Sequence, residues 1–201
     1  MTQNVWILML AQAFAMCAAP LVVFAGGLIG KNLASDSSFA TLPVAAMVLG
    51  TAVAVYPAAL MAGKIGRKLV FLGAMIIGLS AALIAVFSLQ IGSFSGFVIA
   101  SVLIGVVLAC IQQFRFAAME SVSVDLMPVA ASRLLLAGII AAYLGPELVT
   151  IGQRLHEQTF TGAFYLLGGC FVMAFILILF GYHNIEIKVE VGEGKPRSFS
   201  E

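Results

Sequence analysis

Charged residues are scarce in this sequence. Asp, Glu, Lys and Arg make up only 9% of its 201 residues, 62% are hydrophobic, and the mean hydropathy is +1.13. A water-soluble domain of this length needs much more polar surface, so that class of protein is excluded. The net charge of +1 also provides no basic surface for a nucleic-acid partner. The composition therefore predicts a protein that is embedded in a lipid bilayer.

Residues that perform catalysis or bind metals are also few. The two histidines, His156 and His183, lie in predicted loops or at the membrane interface, and neither an HExxH pattern nor a GxxxxGK[ST] phosphate loop occurs. We therefore expect a protein that is not an enzyme and carries no cofactor. Met9, Met16, Cys17 and Cys110 belong either to a soft ligand set for monovalent copper or to ordinary apolar packing, so a metal site stays open.

Long apolar runs are abundant instead. A helix needs roughly 20 mostly apolar residues to cross a bilayer, and this pattern occurs over 6–28, 39–62, 69–89, 97–119, 130–151 and 162–182. Backbone groups inside lipid must be paired within the chain, which favours helices over strands for runs this long. We predict an all-α membrane protein with a six-helix bundle over 1–183. Residues 184–201 are predicted to form a cytoplasmic tail or a linker.

The distribution of lysine and arginine predicts the orientation of the bundle, because cytoplasmic loops collect these residues. With the amino terminus inside, the cytoplasmic cations are Lys64, Arg67, Lys68, Arg133, Lys188, Lys195 and Arg197. The outer cations are Lys31 and Arg154. Both termini are therefore predicted to be cytoplasmic.

Ionisable and amide side chains inside apolar runs are costly and are functional candidates for that reason. Gln112 and Arg115 share one face of the fourth run. They either line a cavity and meet an anionic or hydrogen-bonding ligand, or Arg115 reaches the inner interface or pairs with an acid. Glu120, at the membrane edge, is a candidate partner for the cations at Arg67 and Lys68.

The fifth run contains a second group of candidates. Glu147 follows Gly145 and Pro146, and its carboxylate either carries a proton during transport or reaches outer water. Gly138 and Gly145 are seven residues apart and share a face, which predicts close helix packing.

The residues at 59–68 resemble the signature of the major facilitator superfamily, G-x-x-x-[DN]-[RK]-x-G-[RK]-[RK]. The sequence keeps Lys64, Gly66, Arg67 and Lys68 of that signature but has Ala59 and Gly63 at its first and fifth positions. In the family, the acid at the fifth position belongs to a charge cluster that holds the inward gate. The resemblance therefore implies that Glu120 or Asp125 replaces this acid opposite Arg67.

Two further matches strengthen the resemblance. Asp125, Pro128 and Arg133 are similar to the acid, proline and arginine of the family's loop between its fourth and fifth helices, and Gly145 with Pro146 is similar to its fifth-helix motif. The run at 114–118 resembles a bacterial group that includes CcoA-like copper importers and relatives linked to riboflavin uptake.

The resemblance implies a fold and a site. The chain would form the amino-terminal six-helix half of such a transporter, built from two three-helix repeats, with the first and fourth helices facing the cavity. The implied cavity wall consists of Gln12, Met16, Cys17, Gln112 and Arg115.

The resemblance also implies a function, namely secondary active transport of a small polar or metal-containing solute by alternating access. The expected location is the bacterial inner membrane, and the expected partner is a second six-helix half, from another copy or a separate chain. An alternative is the six-helix substrate-binding subunit of an ATPase-driven vitamin transporter, for which Ala11, Ala15 and Ala19 would supply a small-residue docking stripe. A non-transporting membrane scaffold is a third hypothesis.

Overall fold

Six helical spans, each long and apolar enough to cross a membrane, make up a computed structural model that describes residues 2–155 and 160–183. The spans are Gln3–Leu33, Ser37–Ile65, Arg67–Gln90, Phe94–Glu120, Val124–Leu155 and Thr161–Gly181. No strand occurs in the described ranges. The all-α prediction is confirmed, and the chain is a multi-pass membrane protein. The predicted tail at 184–201 and His156 lie outside the described residues.

The first span is broken into two helices, Gln3–Met16 and Ala18–Leu33. Pro20 has no N–H to donate to the carbonyl of Met16, four residues earlier, so the regular hydrogen-bond ladder cannot continue there. At the break, the thiol of Cys17 donates to the carbonyl of Phe14 at 2.7 Å. The continuous run of apolar residues did not predict this interruption.

The fourth span is also broken, between the helices Phe94–Gln112 and Phe114–Glu120. The N–H of Gln113 bonds the carbonyl of Cys110 at 3.0 Å, three residues earlier, which tightens the chain locally. The break detaches the last seven residues of the span as a short helix that carries Arg115.

The remaining helices are continuous. The second span contains a 3-10 turn, Ser37–Phe39, followed by the helix Leu42–Ile65. The third span is one helix, Arg67–Gln90. The fifth span has a 3-10 turn, Val124–Leu126, and then the helix Met127–Leu155, and the sixth is the helix Thr161–Gly181.

The second and fourth spans cross at very short range. A Cβ atom added to Gly105 would lie 2.1 Å from the carbonyl oxygen of Met47, and one added to Gly50 would lie 2.4 Å from that of Val102. Only glycine permits backbones to approach this closely. The crossing therefore fixes the rotation of the second span and, with it, which side chains face the fourth span.

Aromatic side chains fill the core between the third, fourth and sixth spans. The rings of Phe71 and Phe114 lie 4.4 Å apart, and those of Phe97 and Phe164 meet edge to face at 5.5 Å. All four rings are fully buried. This packing holds the fourth span in place on the side opposite the second.

At the end of the bundle that carries the amino terminus, polar contacts join the first and sixth spans. The Asn4 amide donates to the carbonyl of His183 at 2.9 Å, and its oxygen accepts from the His183 N–H at 3.2 Å. Gly66, between the second and third spans, has a φ of +89°. This backbone conformation suits glycine and explains why the basic signature needs glycine at this position.

Candidate functional site

A cavity of about 640 Å³ lies between the first, second and fourth spans. Its lining residues are Gln12, Met16, Ala19, Met47, Val48, Thr51, Ala52, Leu108, Ile111, Gln112, Arg115 and Phe116. The volume lies within the range of small-molecule sites, which combine an apolar wall with a few placed polar groups. The arrangement can enclose an organic solute and orient it through hydrogen bonds.

Four of the five residues predicted for the cavity wall line this cavity, namely Gln12, Met16, Gln112 and Arg115. Cys17 is not among the lining residues. Its side chain is fully buried, and its thiol donates to the carbonyl of Phe14. Consecutive helical residues point about 100° apart, so the side chain next to Met16 faces the bundle interior instead of the cavity.

Gln12 is held rigidly at the base of the cavity. Its amide nitrogen donates to the carbonyl of Leu134 on the fifth span at 2.9 Å and contacts the sulfur of Met16 at 3.6 Å. Only 7% of the residue is exposed. The fifth span, which does not line the cavity, thus sets the orientation of this amide.

Thr51 is a cavity residue that the sequence interpretation missed. Its hydroxyl lies 3.0 Å from the carbonyl oxygens of both Met47 and Gly105, at the close crossing of the second and fourth spans. A signal was present, because Thr51 is the single serine or threonine in the helix Leu42–Ile65. A hydroxyl isolated in the middle of an apolar span is a functional candidate.

Arg115 and Gln112 form the polar part of the fourth-span wall. Both side chains are exposed, and they lie on either side of the helix break at Gln113. Within the described ranges, Arg115 takes part in no ion pair. No acid of the described ranges therefore neutralises Arg115, and its guanidinium is available to the cavity.

The predicted charge cluster is only partly assembled. Arg67 forms an ion pair with Glu120 and also donates to the carbonyl of Gln113 at 3.5 Å. Asp125 is exposed on the turn Val124–Leu126 and forms no ion pair in the part of the chain that the structure describes. Of the two acids expected opposite Arg67, Glu120 is the one in contact.

Arg133 lies apart from this cluster. Its guanidinium carbon is 4.5 Å from the ring centre of Trp6, near the amino-terminal end of the first span. This geometry suits a cation–π interaction. Lys64 is exposed at the end of the second span, and Lys68 lies in the first turn of the third span beside Arg67.

Tyr182 lies close enough to the Arg67 and Glu120 pair for its phenol to be affected by both charges. Its buried ring lies 5.8 Å from that of Phe71. Burial raises the pKa of the Tyr182 phenol, the charge of Arg67 lowers it, and that of Glu120 raises it again. The sixth span therefore ends near the ion pair.

The fifth-span candidates lie outside the cavity. A Cβ on Gly145 would come within 2.6 Å of Pro20, whereas one on Gly138 would meet only the Met16 sulfur at 3.9 Å, so of these two glycines only Gly145 is closely packed. Glu147, which follows Pro146 within the continuous fifth helix, is half-buried. In the described ranges, no three His, Cys, Asp or Glu residues are grouped as metal ligands.

Comparison with known proteins gives two relatives, while no protein-family model matches the chain. The riboflavin transporter RfnT of Brucella anthropi is 32% identical over 163 residues, which is 81% of this chain and 41% of that protein. The uncharacterized MFS-type transporter YddS of Bacillus subtilis is 25% identical over 177 residues, which is 86% of this chain and 41% of that protein. The chain is homologous to half of a major facilitator superfamily transporter.

The chain spans about two fifths of the length of both relatives. The resemblance read from the basic signature at 59–68 is therefore confirmed at the level of the superfamily. The run at 114–118 was compared above with a narrower bacterial group. One of the two relatives is named as a riboflavin transporter, and neither is named as a copper importer.

Proposed function

We propose that this chain forms one half of a secondary active transporter, which moves a small polar organic solute through the cavity by alternating access. The observation that carries the proposal is Arg115. A charged side chain at a cavity wall inside a membrane span is costly, and a solute that it binds compensates for that cost. Gln12 and Gln112 add hydrogen-bonding groups at the same cavity.

Riboflavin is the candidate solute. One relative is named as a riboflavin transporter, and the cavity combines apolar side chains with the amide and guanidinium groups that a flavin ring can use. The cavity volume of about 640 Å³ lies within the range of known small-molecule sites. A metal-containing solute is less well supported, because only Met16 and Met47 offer sulfur to the cavity.

A second six-helix half would complete the site. In transporters of this architecture, two repeats rock against each other around a site near the middle of the bilayer. The second and fifth spans bury the smallest shares of their residues in this chain. Their apolar faces are available to another half or to lipid. We place the assembly in the bacterial inner membrane, with both termini in the cytoplasm.

The rival function, a substrate-binding subunit for an ATPase, loses the feature that suggested it. Ala11 and Ala15 of the small-residue stripe are fully buried within the bundle, and Ala19 lines the cavity. The stripe serves internal packing and is not available as a docking surface.

The test begins with the tagged chain, purified from its native membrane in mild detergent together with any bound protein. The purified assembly is reconstituted into liposomes, and riboflavin accumulation is followed by fluorescence under an imposed proton or sodium gradient. We expect gradient-dependent uptake that Arg115→Ala lowers by at least tenfold, which corresponds to about 1.4 kcal/mol. Lys31→Ala, an exposed cation far from the cavity, is the matched control and should retain uptake.

The outcomes separate the three functions. Uptake that requires ATP and a co-purified ATPase would support the subunit hypothesis and contradict ours. An assembly that neither binds nor moves riboflavin would favour a scaffold. Normal uptake in Arg115→Ala would remove Arg115 from the site.

A further inference from the structure

We propose that the cavity has hydrogen-bond acceptors on one wall and donors on the other. The first and second spans would present acceptors through Gln12 and Thr51, and the fourth span would present donors through Arg115. The inference rests on the proposed transport function and specifies the solute class. The solute would carry N–H or O–H groups toward the first two spans and a carbonyl or anionic group toward the fourth.

The orientation of Gln12 is fixed by its partner on the fifth span. The carbonyl of Leu134 can only accept, so the NH₂ group of the Gln12 amide must face it, at 2.9 Å. The same nitrogen also faces the weakly accepting sulfur of Met16 at 3.6 Å. Both donors are thus directed at protein atoms, and the amide oxygen has no protein donor in the described part of the chain.

Rotating the Gln12 amide, so that its NH₂ group instead of its oxygen faced the cavity, would be energetically costly. A rotated Gln12 would place its oxygen against the Leu134 carbonyl, leaving two acceptors in contact and no donor between them. Because the residue is almost fully buried, water cannot easily relieve that arrangement. Gln12 therefore offers the cavity an acceptor.

Thr51 has the same polarity for a different reason. A hydroxyl carries one proton, and the Thr51 oxygen lies 3.0 Å from two carbonyl oxygens, those of Met47 and Gly105. The single proton is directed toward these acceptors, which leaves the oxygen lone pairs for another donor. A solute at this position would therefore have to donate.

Arg115 supplies the opposite polarity. A guanidinium has five N–H donors, no acceptor, and a charge that persists at all physiological pH values. Its side chain is exposed in the same cavity as Gln12 and Thr51. A cationic solute would be repelled on this wall, whereas a carbonyl or an anionic group would be bound.

The experiment pairs one donor on the solute with one acceptor on the protein. The purified assembly is placed in lipid nanodiscs, and its affinity for three flavins is measured from the change in their fluorescence. The flavins are riboflavin, lumiflavin, which lacks the ribityl hydroxyls, and 3-methylriboflavin, which lacks the ring N–H. The protein variants are Thr51→Val, which removes the hydroxyl at nearly constant volume, and Thr51→Ser, the control that retains it.

We expect at least one donor-deleted flavin to bind the unsubstituted assembly about tenfold more weakly than riboflavin, the usual effect of one hydrogen bond. Thr51→Val should weaken riboflavin binding by a similar factor and leave that analogue within about twofold, so the two losses would not add. Thr51→Ser should behave like the unsubstituted protein. Gln12→Met, measured with the same three flavins, provides a second and independent comparison of this kind.

Two results would overturn the inference while leaving riboflavin transport intact. One is that both analogues bind as tightly as riboflavin. The other is that Thr51→Val and Gln12→Met weaken all three flavins equally, which would indicate a packing role. Failure of the unsubstituted assembly to bind riboflavin would instead contradict the proposed function.

Discussion

Arg67 acts at two points on the carboxy-terminal end of the fourth span. It pairs with Glu120, at the end of the short helix Phe114–Glu120, and it donates to the carbonyl of Gln113 at the start of that helix. The side chains of Arg67 and Glu120 are 22% and 34% exposed. Partial exposure keeps the stabilising effect of such a pair modest, but the second contact ties the broken helix to the third span.

Replacing Arg67 tests this role. We expect Arg67→Ala to lower the free energy of unfolding by about 1 kcal/mol, the sum of a partly exposed ion pair and a weak hydrogen bond. Thermal unfolding in detergent measures the effect, and Lys64→Ala, an exposed lysine three residues away, is the control. The charge-reversed double variant Arg67→Glu with Glu120→Arg should recover part of the loss; no recovery would mean that the pair contributes little.

Some of the cavity residues could be predicted from the sequence, and others could not. Gln12, Gln112 and Arg115 could be predicted because a polar side chain in an apolar span has a large cost wherever it lies. The position of Cys17 away from the cavity and the omission of Thr51 have another origin. Which face of a helix a residue occupies in the bundle depends on helix rotation, and residue type alone does not set that rotation.

At the scale of elements, glycine contacts set the helix positions around the cavity. The crossing of the second and fourth spans depends on Gly50 and Gly105, and the fifth span approaches the first at Gly145 and Pro20. Thr51 lies at the first of these contacts. The geometry of the cavity wall therefore depends on backbone approach as well as on the lining side chains.

Gly105→Ala is the sharpest test of the crossing. A methyl group 2.1 Å from the carbonyl oxygen of Met47 would force the two helices apart, at a cost of about 1–3 kcal/mol. We expect a lower unfolding temperature and weaker riboflavin binding, because Thr51 would move with its helix. The measurements are thermal unfolding and flavin fluorescence titration.

Gly73→Ala is the matched control, because a Cβ there meets nothing within 4 Å. It should leave binding unchanged and raise stability by up to about 1 kcal/mol through the better helix propensity of alanine. Equal behaviour of the two variants would show that the crossing tolerates a side chain.

The two helix breaks differ in how predictable they are. Pro20 makes the break at Cys17 understandable from the sequence, since a proline inside a span removes one backbone hydrogen bond. The break at Gln113 has no proline. Its carbonyl accepts from Arg67, a residue of another span, so only the packed structure accounts for the contacts at that break.

At the scale of the whole molecule, the six spans are unequally buried. The second and fifth spans expose large apolar side chains such as Val53, Tyr56, Ile139 and Tyr143. The fourth span, by contrast, buries Phe97, Ile104 and Phe114 almost completely. This asymmetry distinguishes the outer faces of the bundle, which meet lipid or another half, from its closed core.

The predicted orientation can be checked with cysteine probes in intact cells. In a variant with Cys17, Cys110 and Cys170 replaced by alanine, we expect Lys31→Cys to react with a membrane-impermeant maleimide from outside. Lys64→Cys should react only after the cells are opened, because the cation bias predicts that the 64–68 loop faces the cytoplasm. Both lysines are exposed, so accessibility is matched. The reverse labelling pattern would show that the orientation is opposite to the predicted one.

The sequence by itself determined the solvent, the number of spans and the superfamily, and it predicts an orientation. Composition and apolar run length act locally along the chain, and the signature at 59–68 is likewise contiguous. Only the tertiary structure decided that Arg67 meets Glu120 and not Asp125, that Thr51 lines the cavity, and that Cys17 does not. These outcomes depend on the rotation and crossing of helices, which contacts between residues distant in sequence determine.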